Sequence, residues 1–172
     1  MSAADEVVIR PFRDEDGEAL WPILRDVIRL GDTYAIDPGL NRDRMLDLWT
    51  VQARACFVAE RAGEILGTYY IKSNQAGGGA HVCNCGYMTA PQARGQGVAR
   101  AMCLHSQIEA VKLGYKAMQF NLVVCTNTGA IRLWSSLGFE TVGRLPQAFD
   151  HPEEGLVDAL VMYKWLGEAP TA

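Results

Sequence analysis

The stretch Arg94-Gly95-Gln96-Gly97-Val98-Ala99 decides how this chain is read. It lies between an apolar, strand-like run, His81 to Thr89, and a helix-like run from about Gly97 to Leu113. Two glycines let the backbone turn tightly and expose consecutive N–H groups. The helix that follows directs the positive end of its dipole at the same place, so the segment is built to hold an anion such as a pyrophosphate. A Gly-x-Gly pair by itself is weak evidence. The strand before it and the helix after it carry the assignment.

Working outward, Val7 to Phe12 reads as a first strand. Leu20, Ile23, Leu24, Val27 and Ile28 then recur at helical spacing after Asp14-Glu15-Asp16, with Pro22 early enough to be tolerated. A second helix is expected from about Asn41 to Val51, with Met45, Leu48 and Trp49 on one side. Cys56 to Glu60 and Ile65 to Ile71 flank Arg61-Ala62-Gly63-Glu64, a hairpin signal. Asn74 to Ala80 reads as a loop, and Pro91 closes the strand beginning at His81. The long helix carries Leu104, Ile108 and Val111 on one stripe and stops at Gly114.

Ala117 to Val124 is an apolar strand, and Thr128 to Leu137 is a short helix ended by Gly138. Phe139 to Leu145 and Leu156 to Trp165 read as the last strands, joined by a polar loop containing Asp150, His151, Pro152, Glu153 and Glu154. The order is β-α-α-β-β-β-α-β-α-β-β. No repeat, low-complexity tract or linker interrupts it, so one α/β domain is expected over 1–172, with its core at about 6–166 and short flexible termini.

The 172 residues suffice for one domain with a real core. A net charge of −4 offers no basic stripe to neutralise phosphates along a nucleic acid, so none is expected as partner. No apolar stretch is long enough to span a bilayer, and Met1 to Glu6 does not resemble a signal peptide. The five cysteines are odd in number and lack framework spacing, which predicts reduced thiols and a cytoplasmic location. Cys83 and Cys85 sit two apart in a strand with no second ligand pair downstream, so no metal is expected.

The chain resembles the GCN5-related N-acetyltransferase (GNAT) superfamily. The residues carrying the resemblance are Tyr87-Met88-Thr89-Ala90-Pro91, then Arg94-x-x-Gly97-x-Ala99, which fits the family's Gln/Arg-x-x-Gly-x-Gly/Ala signature. Downstream, Asn127, Ala130, Leu133-Trp134 and Leu137-Gly138-Phe139 look like its second coenzyme A motif. The resemblance implies a single mixed, mostly antiparallel sheet of about seven strands with about four helices, splayed between strands four and five. It also implies acetyl-CoA as co-substrate. Backbone N–H groups of Gly95, Gln96, Gly97, Val98, Ala99 and Arg100 would hold the pyrophosphate, with charge from Arg94 and Arg100. The backbone of Tyr87, Met88 and Thr89 would pair with the pantetheine arm. Asn127 would hydrogen-bond that arm, Ala130 would leave room for it, and Trp134 would line it. A homodimer is plausible on family grounds.

The chemistry expected of such a site meets two departures. Many family members carry a tyrosine that protonates the leaving thiolate where this chain has Trp134, and indole has no accessible proton to give. Tyr87, Ser135 and Cys125 are the candidate substitutes, though each reads more readily as structural; otherwise the thiolate leaves unassisted or is protonated by water. Family members often carry a glutamate on the fourth strand, yet no Asp or Glu lies between Glu64 and Glu109. Asn84 and Asn121 interrupt the two central strands instead, and would orient an amine or position a water. The alternative is that each satisfies a strand edge where the sheet splays. A fourth-strand Asn with a fifth-strand Asn is also similar to the yeast proline-analogue acetyltransferase branch.

A site without a strong base suits an α-amino group, which titrates near about 7.7–8.0, better than a lysine near about 10.4. The expected acceptor is therefore a small amine, such as an amino acid or similar metabolite. The competing function is a non-catalytic acyl-CoA sensor, which the missing tyrosine and glutamate keep in play. His81 reads as a structural or rim residue and His105 as solvated; His151, with Asp150 and Glu153, is in a loop that the resemblance would bring near the amine site, or is simply part of a polar loop. Asp158 either pairs with Arg10 or lines the pocket.

Overall fold

Short runs rich in apolar residues, near-continuously buried in the centre of the sheet, build seven strands: β1 (Val8–Pro11), β2 (Ala55–Arg61), β3 (Glu64–Ser73), β4 (Val82–Thr89), β5 (Ala117–Val124), β6 (Glu140–His151) and β7 (Gly155–Trp165). They form one sheet in the order β1-β2-β3-β4-β5-β7-β6. Every neighbouring pair is antiparallel except β4 and β5, which run parallel. This is a computed structural model, and it describes residues 6–167. The expected flexible termini lie outside that range.

The β2–β3 hairpin turns at Ala62 and Gly63, both left-handed (φ 50° and 81°), as a two-residue turn matching strand twist requires. The β4–β5 seam is short. Its only backbone pairs among the described residues are Val82 with Ala117 and Cys83 with Met118. Beyond them the strands part, as expected from the resemblance, and the fork between them organises the site. β5 carries a second irregularity, since its register with β7 shifts between Phe120 and Val123 and leaves Asn121 and Leu122 in a bulge.

Four helices cover the sheet: α1 (Gly17–Leu30), α2 (Arg42–Leu46), α3 (Val98–Lys112) and α4 (Thr128–Ser136). α1 buries Leu20, Ile23, Leu24, Val27 and Ile28, the stripe the sequence predicts, and tolerates Pro22 in its second turn. Gly31, left-handed at φ 66°, ends it. α2 runs on as a π-helical turn, Asp47–Val51, that drives Trp49 into the core.

α3 corrects the sequence reading. Leu104, Ile108 and Val111 are exposed, while Val98, Met102, Cys103, Ser106 and Ala110 form the buried face. Small side chains there bring the helix close to the sheet; a Cβ on Gly67 of β3 would meet Met102 Cε at 2.9 Å. The last hairpin is also longer than expected. β6 continues to His151, so Asp150 and His151 belong to a strand and the turn is confined to Pro152–Glu154.

Candidate active site

The turn after β4 has the geometry of an anion cradle. Gly95 and Gly97 are both left-handed (φ 74° and 81°), a conformation costly for any residue with a Cβ. A Cβ on either would project into open space, so the backbone there is unshielded. α3 starts immediately after Gly97, and its first internal bond runs from Ala101 N–H to the Gly97 carbonyl at 2.9 Å. The N–H groups of Val98, Ala99 and Arg100 are therefore first-turn donors without a helical partner. The signature also fits two residues earlier, at Gln92 to Gly97, and the two left-handed glycines are its fourth and sixth positions in that register. The N–H of Gln96, expected among the donors, points to the Ala93 carbonyl at 3.3 Å. The exposed side chain of Gln96 donates to the Gln92 carbonyl at 2.6 Å and accepts from Arg61 at 2.8 Å.

A continuous cavity of about 1410 Å³ runs from this turn into the fork. Pockets for drug-sized ligands occupy roughly 300–1,000 Å³, so there is room for a long flexible donor and a small acceptor together. Tyr87, Met88 and Thr89 of β4 form one wall. Asn127, Ala130 and Trp134 form another, with Arg94, Gly95, Gly97, Val98, Ala99 and Arg100 at the cradle. Asn127 has a local duty as well, because its Oδ1 accepts from Ala130 N–H at 3.1 Å and caps α4. Trp134 packs against Tyr87 (ring centroids 5.1 Å apart) and Phe120 (5.2 Å).

The sequence named Asn84 and Asn121, and the structure brings both to the cavity without contact between them. Asn84 is buried. Its Nδ2 donates to the Gln119 carbonyl at 2.9 Å, and its Oδ1 accepts from the Tyr70 hydroxyl at 3.1 Å. Asn121 is exposed in the β5 bulge, where it accepts from Gln119 Nε2 at 2.8 Å and donates to Asn74 Oδ1 at 2.7 Å. Gln119 links the two, through its backbone on one side and its side chain on the other.

The Asn84 network has a fixed direction. A backbone carbonyl can only accept, so Asn84 presents its amide NH₂ to Gln119 and its oxygen to Tyr70. Tyr70 must then donate to Asn84, which leaves its oxygen lone pairs for the cavity. Burial, reinforced by nearby Cys85, pushes the Tyr70 hydroxyl up to about 12, so it keeps this proton at neutral pH. Trp49 stands edge-on to the Tyr70 ring at 4.7 Å and donates its own N–H to Thr68 at 3.0 Å. Gly86 makes this possible, since a Cβ there would meet Tyr70 Cε1 at 2.6 Å. Sequence reading missed Tyr70, Trp49 and Gln119 as parts of the site; Trp49 and Gln119 lie on different elements from the Tyr70 and Asn84 they hold.

The remaining walls come from the α1–α2 connection and the β6–β7 turn. They contribute Asp32, Tyr34, Asp37, His151, Glu153 and Glu154 to the cavity, against one cation on β3, Lys72. Lys72 makes no ion pair among the described residues and lies 5.1 Å from the Tyr70 ring centroid. His151 is buried, and its Nδ1 faces the N–H groups of Glu153 and Glu154 at 3.2 and 3.3 Å. A ring nitrogen that accepts leaves the hydrogen on Nε2, so His151 is a fixed donor rather than a member of a plain polar loop.

Contacts also define the surroundings of several other side chains. The Tyr87 hydroxyl bonds Ser106 Oγ at 2.7 Å, and burial raises it well above the ordinary phenol range. It is thus a poor replacement for the missing acid. His105 is not simply solvated; its Nδ1 meets the Tyr69 hydroxyl at 2.7 Å, and burial lowers its affinity for a proton. Asp158 takes neither role foreseen for it, pairing with Arg144 at 2.6 Å and the Gln147 N–H at 2.9 Å. Arg10 instead clamps Asp16 and Glu60. All five cysteines are free thiols, and no group of three metal-binding side chains occurs among the described residues.

The family model described as the acetyltransferase (GNAT) family matches residues 21–139, more than half of the chain. The chain belongs to the GNAT acetyltransferase family. As a GNAT member it is an N-acetyltransferase. It is similar to the N-acetyltransferase aca1 of Schizosaccharomyces pombe, with 31% identity over 151 residues, covering 78% of this chain and 72% of the relative. It is also similar to a GCN5-related N-acetyltransferase from Kribbella flavida, with 40% identity and a TM-score of 0.88 over 92% of this chain and 97% of that one. The GNAT fold alone is shared with yncA, a putative acetyltransferase from Salmonella typhimurium described with its cofactor acetyl-CoA. That match has 21% identity and a TM-score of 0.82, covering 96% of each chain.

Proposed function

We propose that this N-acetyltransferase moves an acetyl group from acetyl-CoA to the amine of a small molecule, an amino acid or a similar metabolite, within a ternary complex. The observation that carries the reading is the unbroken cavity from the glycine cradle to the Tyr70–Asn84 pair. The cradle's unpartnered N–H groups, its open left-handed glycines and Arg94 and Arg100 fit a pyrophosphate. The parted edge of β4 suits an extended, amide-bearing arm.

Acetyl-CoA supplies an activated thioester carbonyl. The amine nitrogen bonds to that carbon, the C–S bond breaks, and amide and free thiol result. The proton lost by the amine balances the one gained by the thiolate. The chain's own part is positioning. Tyr70 offers its lone pair to an amine N–H, Asn84 holds Tyr70 in that sense, and Asn121 steadies the β3–β4 connection through Asn74.

Four carboxylates on the cavity walls, Asp32, Asp37, Glu153 and Glu154, favour the approach of a cationic amine. None of them lies on β4 or β5, so no strong base stands in the fork. An α-amino group, near about 7.7–8.0, loses its proton to water far more readily than a lysine at about 10.4. The free thiols support a reducing, cytoplasmic setting.

The test is thiol release from acetyl-CoA against amino acids, polyamines and a lysine peptide. Turnover with a small α-amine is the expected result. Turnover confined to the lysine peptide overturns the acceptor class. Tight acetyl-CoA binding without turnover on any amine points to the sensor function instead.

A further inference from the structure

Tyr34 lies in the connection between α1 and α2, outside any helix or strand. Its hydroxyl makes two hydrogen bonds to a single residue of β4. It accepts from the Tyr87 N–H at 2.8 Å and donates to the Tyr87 carbonyl at 2.6 Å. Both bonds are short, and burial raises the Tyr34 hydroxyl far above the ordinary phenol value, so its proton stays in place.

The position of these bonds gives them meaning. Successive residues of a strand direct their backbone groups to opposite neighbours. Tyr87 stands opposite Tyr69 in the β3–β4 ladder, yet its N–H and C=O turn away from β3 to meet Tyr34. They therefore lie on the β4 edge that faces β5, beyond Cys83, where backbone pairing with β5 has ended. Buried backbone groups need partners. A phenol hydroxyl, which donates and accepts at one atom, supplies what an amide of an adjacent strand would otherwise supply.

We infer that Tyr34 is a displaceable strand substitute that sets the affinity for the donor. This rests on the acetyl-CoA reading above, in which the pantetheine arm pairs with the same edge of β4. One hydroxyl and one pantetheine amide cannot both use the Tyr87 N–H and carbonyl. Binding of the arm lifts Tyr34, and the connection carrying Asp32 and Asp37 moves with it. The donor thereby reshapes the wall that receives the acceptor.

Removing the hydroxyl removes the competitor. Tyr34→Phe keeps the ring that stands edge-on to Trp49 (centroids 5.9 Å apart), so the fold is retained. It leaves the Tyr87 groups without their side-chain partner until the arm arrives. Coenzyme A should then bind about five- to tenfold tighter to the variant, the size expected for one to two net hydrogen bonds.

3′-Phosphoadenosine 5′-diphosphate, which keeps the pyrophosphate but lacks the pantetheine arm, should bind wild type and variant equally. Calorimetric titration of both ligands into both proteins decides the matter, with Tyr34→Leu as a second variant expected to behave like Tyr34→Phe toward coenzyme A. Unchanged or weaker coenzyme A binding by Tyr34→Phe overturns the inference, as does an equal gain for the armless nucleotide. If wild type binds neither ligand, it is the acetyl-CoA reading that fails.

Discussion

Asn84 stands one residue beyond the last backbone pair of β4 with β5, and its side-chain amide donates to the carbonyl of Gln119 at 2.9 Å. A side chain thus adds the next rung of a ladder whose backbones have already begun to part. The same side chain aligns Tyr70 toward the cavity, which joins the architecture of the fork to the chemistry proposed within it.

Asn84→Ala should destabilise the protein by about 1–3 kcal/mol, since it leaves a partly buried carbonyl and hydroxyl without their partner. Turnover should fall at least about tenfold while coenzyme A affinity changes less than about twofold, the pattern of a lost positioning contact. Asn121 is exposed, so Asn121→Ala should shift stability by no more than about 0.5 kcal/mol and reduce turnover less than Asn84→Ala. Urea unfolding and steady-state kinetics check both. Equal kinetic effects from the two variants would refute the division of roles.

Tyr70→Phe preserves the packing against Trp49 and removes the lone pair offered to the amine. The acceptor KM should rise. If Asn84 acts through Tyr70, the Asn84→Ala/Tyr70→Phe double variant should be no slower than Asn84→Ala, a non-additivity of the kind shared networks produce. Multiplying losses would mean that each residue touches the acceptor independently.

Gly86→Ala places a Cβ 2.6 Å from Tyr70 Cε1 and 3.1 Å from Trp49 Cη2. The aromatic pair must yield, at about 1–3 kcal/mol in stability. The acceptor KM should rise with coenzyme A affinity little changed. A normal acceptor KM would show that the pair does not shape the acceptor site.

Gly97→Ala forces a side chain into φ 81°, at about 1–2 kcal/mol. The strain falls on the cradle itself, so coenzyme A should bind roughly tenfold more weakly, measured by calorimetry. Undiminished affinity would exclude this turn as the pyrophosphate site.

Acid stability offers an independent check on the frame. The Arg10 guanidinium, with the Arg13 N–H, holds the Asp16 carboxyl below the usual carboxylate range. The associated stability is fully present above the unfolded value near about 3.9 and is lost as pH falls through the lower folded value. Asp16→Asn should therefore cost about 2 kcal/mol at neutral pH, and its deficit against wild type should shrink below about pH 4. Urea unfolding across pH measures this, and a deficit independent of pH would contradict the ion-pair account.

The glycine turn and the helix after it were legible because they are local. The turn and the start of α3 occupy consecutive residues, and glycine spacing reports backbone conformation directly. The fork was legible only in part. Asn84 stood out as a polar break in an apolar strand, whereas Tyr34, Trp49, Tyr70 and His151 come from separate segments that only tertiary packing brings to it. α3 misled for a definite reason. Its strongest apolar residues, Leu104, Ile108 and Val111, face outward, while the core face includes Ser106, whose hydroxyl donates to the Cys103 carbonyl and meets Tyr87. Periodicity weights apolar size, whereas close approach to a sheet favours small side chains. The last hairpin ran past its expected end because a left-handed Gln147 (φ 52°) bends β6 without terminating it.

The β4–β5 seam, two backbone pairs and one asparagine long, gives the sheet the mechanics of tongs rather than of a plate. Four strands stand on one side of this seam and three on the other, so among the described residues the two halves of the sheet share no β4–β5 backbone pair beyond Cys83 and Met118. A load that spreads the fork therefore falls on two backbone pairs and one side-chain amide rather than along the whole length of a strand.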